Sequence, residues 1–352
     1  MVSTIFRHGC ETLPAWPGSG RSESLRDYSE PQARRRFLVI HNPVAGARRA
    51  RRLRAVVAAL ETDFGAAVTV RATTGPGDAE GIARSLVPGA TDALVVAGGD
   101  GTINEVINGL ATRGGLAAGG EEAVPVPLGI VPLGTANVLA GELGLPVASA
   151  DAAAARAVAE VLARGAVRPV HLGVANGRCF AMMAGVGLDA RVVETVDTRL
   201  KRLIGKGAYV VETLVQLALR PDVRYRVTVD GLTSEVASVI VAKGHFYGGR
   251  FVCAPEARLE EPLLQVCLFP RPGRWNAVRY IWGVTAGRLR HFPDYRVVPA
   301  ERVVVTGPPG DAVQGDGDVV ARLPVEIAVA PWTLPVLVGP VPVSAVPAGQ
   351  GG

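Results

Sequence analysis

Nowhere in this 352-residue chain do eighteen apolar residues run consecutively, so the sequence predicts no helix that spans a bilayer. Residues Met1 to Arg36 are rich in Arg, Ser, Glu and Pro and lack the apolar centre of a secretory leader; they read as a disordered lead-in. Cysteine is scarce, and Cys10, Cys179, Cys253 and Cys267 lie far apart without Cys-x-x-Cys spacing. That argues against a zinc site and for reduced thiols in the cytoplasm. The last three fall in apolar stretches, as small core residues do. There is no internal repeat. Basic residues are scattered and not interleaved with aromatics, which speaks against nucleic acid as the partner. Both common nucleotide fingerprints, G-x-G-x-x-G and G-x-x-x-x-G-K-[ST], are missing.

What is present is a normal globular balance, 48% hydrophobic and 20% charged, with length enough for two domains. The net charge of +5 suits an acidic partner such as a nucleotide or an anionic membrane. From Phe37 to about Arg164 strands alternate with helices. Apolar runs at Phe37–His41, Val68–Ala72, Ala93–Ala97 and Leu128–Val131 are separated by helical patterns. That alternation predicts a parallel sheet with right-handed crossovers. Beyond it the texture turns β. Strand-like runs at Val170–Val174, Cys179–Ala184, Val223–Val229, Ser234–Ala242, Leu263–Phe269, Arg302–Thr306 and Val325–Val329 are broken by Gly, Pro and Asp. Helical stretches interrupt them at Lys206–Leu219 and Trp275–Leu289, and a last apolar run covers Leu334–Val338.

The most informative stretch is Gly98-Gly99-Asp100-Gly101-Thr102, where a buried strand turns into a helix. Thr102 and Glu105 have capping-box spacing and predict a helix beginning at Thr102. A glycine-rich turn exposes backbone N–H groups and aims a helix N-terminus at its ligand, which suits phosphate. The plainer alternative is an ordinary tight turn. Asp100, an acid inside an anion-binding loop, makes sense beside a metal ion or a transferring proton. Ligands of parallel sheets gather at the carboxyl ends of the strands. Three further segments end strands with small or polar residues: Asn42 to Gly46, Thr73 to Gly75, and Leu133 to Asn137. One nucleotide cleft accounts for all four.

In order along the chain stand Asn42-Pro43 with Gly46, Thr73 with Gly77-Asp78-Ala79, Gly98 to Thr102 with Asn104-Glu105, and Pro132-Leu133-Gly134-Thr135 with Asn137. Gly185 and Gly187, Phe246 to Gly249 leading to Ala254-Pro255, and Gly315-Asp316-Gly317-Asp318 follow. The ordered set, spanning Phe37 to about Val338, resembles the diacylglycerol kinase and sphingosine kinase catalytic family, in particular its soluble bacterial lipid kinases. The resemblance implies a Rossmann-like α/β nucleotide domain with a parallel sheet, at 34–167, followed by a mostly β sandwich domain at 168–331. Residues 332–345 are free to pack back on the first domain, and 1–33 and 346–352 read as disordered. ATP and Mg2+ are the implied cofactors. Asn42, Pro43, Gly46, Thr73, Gly98, Gly99, Asp100, Gly101, Thr102, Asn104, Glu105, Gly134, Thr135 and Asn137 are the implied nucleotide residues, and a lipid alcohol the implied acceptor. The family's general base falls at Asp318, one methylene shorter than its usual Glu, with Asp316 and Asp100 as the other catalytic candidates.

Departures are confined to few places. Val138 and Ala47 replace an Asp and a Lys frequent in bacterial relatives, and Glu260-Glu261-Pro262 stands where a structural magnesium turn reads Asp-Asp-Gly. Proline locks φ and removes an N–H, so no second, structural metal is expected there, only the magnesium carried by ATP. A membrane lipid implies a cytoplasmic enzyme visiting the inner membrane face. The basic clusters Arg199, Lys201, Arg202, Lys206 and Arg288, Arg290, His291 are candidates to meet its headgroups. The helical face Val278, Ile281, Trp282, Leu289 is expected to pack on its own sheet. Lys243 and His245 precede the Tyr-Gly-Gly segment, and His245 is expected to be an edge-of-strand polar residue. A homodimer is left open. Two competing readings remain: a kinase of the NAD kinase superfamily with a non-lipid acceptor, and a catalytically weak lipid- or nucleotide-binding regulator.

Overall fold

A computed structural model describes residues 33–43, 47–112, 126–145, 151–195, 223–249 and 251–339. Four parallel strands, β1 (Arg36–His41), β2 (Ala67–Ala72), β3 (Ala93–Gly98) and β4 (Leu128–Pro132), lie in the order β2-β1-β3-β4. Helices α1 (Ala47–Phe64), α2 (Asp78–Arg84) and α3 (Asp100–Thr112) follow β1, β2 and β3. Every residue of β3 and β4 is buried, as expected of central parallel strands covered on both faces. Two more helices, α4 (Val138–Glu142) and α5 (Ala152–Arg164), complete the first half. The Asp151 carboxylate caps α5 by accepting from the Ala154 amide at 2.7 Å.

The second half contains β5 (Ala166–Ala175), β6 (Arg178–Phe180), β7 (Met183–Val186), α6 (Leu188–Thr195), β8 (Tyr225–Val229), β9 (Leu232–Val236) and β10 (Ser238–Ala242). Next come a small hairpin, β11 (Phe246–Tyr247) and β12 (Phe251–Val252), then β13 (Leu264–Phe269), α7 (Arg274–Thr285) and β14 (Arg296–Ala300). The chain closes with β15 (Arg302–Thr306), β16 (Ala312–Gly315), β17 (Asp318–Arg322) and β18 (Val325–Val338). One antiparallel sheet has the order β14-β13-β10-β7-β16-β17. The facing sheet continues that of the first half. The long strand β18 pairs antiparallel with β5 and β15, and its Val336 meets Leu128 of β4 in parallel. The two apolar runs Val325–Val329 and Leu334–Val338 are thus one strand, with an irregularity between Val329 and Thr333 next to Pro331.

Between the sheets, Phe180, Val227, Val239, Val266, Val303, Val313 and Ile327 form a dry core. Period-two alternation sends Val239 and Val241 of β10 inward, while Ile240 and Ala242 pack on the opposite face. That outer face is covered as well: Phe269 meets Tyr280 of α7 edge to face at 5.1 Å.

Three expectations are corrected. The runs Cys179–Ala184 and Ser234–Ala242 are each two strands, because the chain bends there and passes from one sheet to the other. Helix α3 begins at Asp100, two residues before the capping-box position, and the Gly99 carbonyl accepts its first bond from the Ile103 amide at 3.1 Å. Helix α7 turns Tyr280 and Gly283 to the core, leaving Val278, Ile281 and Trp282 exposed; only Leu289 of the expected face is buried. Tyr280 wins the core position because its ring packs edge to face with Phe269 while its hydroxyl donates to Asp294 at 2.5 Å. The predicted helix Lys206–Leu219, the cluster from Arg199 to Lys206 and both termini lie outside the described residues.

Candidate active site

The carboxyl ends of the parallel strands are laced into one edge. The Asn42 amide donates to the Ala97 carbonyl at 3.2 Å and its side chain to Thr102 Oγ1 at 3.4 Å, tying the loop after β1 to the loop after β3. The buried Thr73 donates its amide to the His41 carbonyl at 2.8 Å. Arg49 of α1 reaches Thr135 Oγ1 at 3.3 Å. Gly99 and Gly134 meet back to back. A Cβ on Gly134 would stand 2.5 Å from Gly99 Cα, and one on Gly99 2.9 Å from Gly134 Cα, so neither loop admits a side chain. The first-turn amides of α3 precede any intrahelical acceptor and point out of this edge.

Asp100 locks the same loops. Its carboxylate accepts from the Val138 amide at 2.8 Å and so caps α4, while burial pushes its pKa up against the backbone donors at the start of that helix. Asn137, in the left-handed region at φ 49°, donates its side-chain amide back to the Gly134 carbonyl at 2.9 Å.

Asp316 and Asp318, two residues apart, are used in opposite ways. Asp316 occupies a left-handed turn (φ 53°) with both carboxylate oxygens engaged. It accepts from the amides of Ala181, Met182 and Met183 at 2.7, 2.9 and 3.1 Å, and from Asn104 Nδ2 at 3.2 Å. Burial raises its pKa, and these four donors oppose the shift. The bend that carries the chain from β6 to β7 is therefore closed onto α3 through Asp316. Asn108 adds to the clasp by accepting from the Cys179 amide at 2.9 Å. The Asp318 side chain is exposed and has no hydrogen bond or ion pair among the described residues, while its backbone pairs with Gly315 in the β16–β17 ladder. Its Oδ2 lies 3.3 Å from where a Cβ on Gly101 would be. An acid more than two hundred residues downstream thus stands over the N-terminus of α3.

A cavity of about 710 Å³ opens from this point. Asp100, Gly101, Thr135, Asp316 and Asp318 line its polar end, and Met182, Val192, Phe251, Phe269, Ile281 and Val284 its apolar body. In its wall Asp189 accepts from Tyr247 at 2.5 Å and from Gln314 Nε2 at 2.6 Å. Gln314 Oε1 in turn accepts the Gly317 amide at 3.0 Å, so this chain braces the Asp316–Asp318 turn. Sequence reasoning missed Asp189 and Gln314, and quoted Tyr247 within the Phe246–Gly249 motif without a role. The signal was Gly185, noted but unexplained: a Cβ there would sit 2.2 Å from Asp189 Oδ2. Glu142 was missed as well. It ties α4 to the second half by accepting from His245 Nδ1 at 2.6 Å, which assigns His245 to a hydrogen bond between the two halves.

Not every candidate converges. Asn104 points into the Asp316 clasp, away from the first-turn amides of α3. Glu105 is half-buried and its side chain makes no hydrogen bond among the described residues; Pro43 is exposed, and Gly46 lies outside them. Glu260 pairs with Arg168 at 3.5 Å, and the buried Lys243 ammonium bonds the Arg258 carbonyl, its charge near Glu260 and Glu261. Among the described residues no three His, Cys, Asp or Glu side chains cluster as metal ligands.

Residues 36–175 match the family described as the diacylglycerol kinase catalytic domain, and residues 182–338 the YegS C-terminal NAD kinase beta sandwich-like domain. A probable lipid kinase YegS-like of Pseudomonas aeruginosa is 33% identical over 67% of this chain and 72% of its own length. The diacylglycerol kinase of Bacillus subtilis is 29% identical over 83% of this chain and 92% of its own. A crystal structure of a putative diacylglycerol kinase from Bacillus anthracis shares the fold at a TM-score of 0.69, with 22% identity, covering 90% of this chain and 99% of that one.

Proposed function

The chain belongs to the diacylglycerol kinase and YegS-like family of lipid kinases, and from that membership we propose that it transfers the γ-phosphoryl group of ATP to the hydroxyl of a membrane lipid. One observation carries the reading: Asp318 stands where the phosphate-facing helix N-terminus meets a large, mostly apolar cavity. Phosphate donor, proton acceptor and apolar binding space then share a single point.

In this reading the triphosphate lies over Gly98 to Thr102, where first-turn amides and the helix dipole stabilise charge developing on the γ-phosphoryl group. The lipid enters the apolar body of the cavity with its hydroxyl at the polar end. Asp318 accepts the hydroxyl proton as the oxygen bonds to the γ-phosphorus. The bond from that phosphorus to the bridging oxygen breaks, and ADP leaves with the electron pair. Asp316, saturated by four donors, holds the turn and takes no proton. Asp100 positions the two glycine loops by capping α4.

Mg2+ carried by a nucleotide needs one or two carboxylates beside the phosphate oxygens, and Asp100 in the first turn of α3 is the carboxylate at hand. Bound there, the ion would supply charge neutralisation on the phosphates. At the Glu260–Glu261 turn, Arg168 pairs with Glu260 and the Lys243 charge lies near both carboxylates.

The test is γ-labelled ATP with a total lipid extract, followed by mass spectrometry of the labelled product. A phosphorylated lipid alcohol is expected. Label appearing only on NAD would move the chain to the other acceptor class, and nucleotide binding without any labelled product would make it a regulator.

A further inference from the structure

Helix α7 exposes what a folded core normally takes in. Trp275 is 87% exposed, Trp282 52%, Val278 45% and Ile281 37%. These four are nearly half of the large hydrophobics left exposed among the described residues, and Phe251, across the cavity, is another. At about 100° per residue, positions 275, 278, 281, 282 and 285 fall in one sector of roughly 120°. Contiguous apolar surface of this kind marks an interaction face.

Two independent observations say what meets it. The first is continuity: Ala277, Ile281, Val284 and Thr285 line the acceptor cavity on the flank next to the exposed face, and Phe251 lines it from the β11–β12 hairpin. Ile281 and Phe251 are both exposed and lining, so they form the mouth. The second is charge. Between residues 271 and 296 there are six arginines against Asp294 alone, a net +5 equal to that of the entire chain. Arg271 and Arg279 engage Asp294, while Arg274, Arg288, Arg290 and Arg296 are exposed.

We propose that α7 is a membrane-docking helix. It lies in the plane of an anionic bilayer, with the two tryptophans, Val278 and Ile281 at the boundary of headgroups and acyl chains and the arginines over lipid phosphates. The cavity mouth then faces the leaflet, and a lipid reaches Asp318 without crossing water. The inference rests on the lipid-kinase reading for its consequence, and on the exposed helix for itself.

The experiment is flotation of the full chain with phosphatidylcholine vesicles, with or without phosphatidylglycerol, beside the Trp275→Ser/Trp282→Ser variant. Wild type should float with the anionic vesicles, and salt should weaken that binding. Bromine-labelled acyl chains should quench its tryptophan emission. The variant should bind at least about tenfold more weakly and escape quenching. Because both side chains are exposed, its melting temperature and its rate on a dispersed short-chain lipid alcohol should match wild type. Equal binding by the variant, absence of quenching in wild type, or a wild-type dimer that the variant dissociates without lipid would each overturn docking; the last would make the face a contact between two copies. Failure of wild type to phosphorylate any lipid, with flotation intact, would count against the kinase reading alone.

Discussion

In the proposed kinase, the cleft wall assigned to the phosphates is largely backbone, and the wall assigned to the acceptor is made of side chains. On the first, Gly99 and Gly134 pack too closely to admit a Cβ, and the amides at the start of α3 stand beside the side chains of Asp100 and Thr135. On the second, Asp318 is aimed by a relay of Asp189, Gln314 and the Gly317 amide, with Asp316 clasped by four donors. A backbone site fixes its ligand by geometry that few residue types permit. A side-chain site on strand ends leaves cavity shape and reach free to vary. The charge that must be neutralised is the same for any phosphate donor, whereas each acceptor lipid needs its own cavity.

Substitutions can break this contrast, the largest effect first. Asp316→Ala leaves three amides and Asn104 without their acceptor and should cost roughly 3 kcal/mol or more, seen as a lower urea midpoint. A wild-type midpoint would show that the clasp does not join the two halves. Gly134→Ala puts a Cβ against Gly99 Cα and should cost about 1–3 kcal/mol while weakening nucleotide binding. Loss of stability with unchanged nucleotide affinity would remove this loop from the donor wall. The smallest effect belongs to Lys243, whose pKa burial lowers from 10.5 to about 8, with Glu260, Glu261 and Glu142 opposing. Between those values the unfolded chain holds a proton at Lys243 that the folded one has released, so the contribution of this group to stability should rise with pH, by about 1 kcal/mol per unit. Lys243→Met should flatten that rise in urea titrations across the same window.

The two walls also differed in how far the sequence revealed them. Gly98 to Thr102 is a local pattern, and its strand, turn and helix could be read from one window; only the helix start was misjudged, because Gly99 serves as N-cap without a side chain to announce it. The Asp189–Gln314 contact joins residues 125 positions apart, which no window contains. The resemblance put the general base at Asp318 and kept Asp316 as a further catalytic candidate. Only the turn geometry separates them, because the left-handed Asp316 folds its carboxylate back on Ala181 to Met183. For α7, helical periodicity found the apolar face but not its direction, since Tyr280 and Phe269 decide which side meets the sheet.

In the proposed reaction Asp318, and not its clasped neighbour, takes the acceptor's proton. Turnover of Asp318→Asn, measured beside its melting temperature and its ATP affinity, tests that directly. The account predicts a loss of about 10²–10⁴ in kcat with both other quantities unchanged. Turnover within a few-fold of wild type would contradict it.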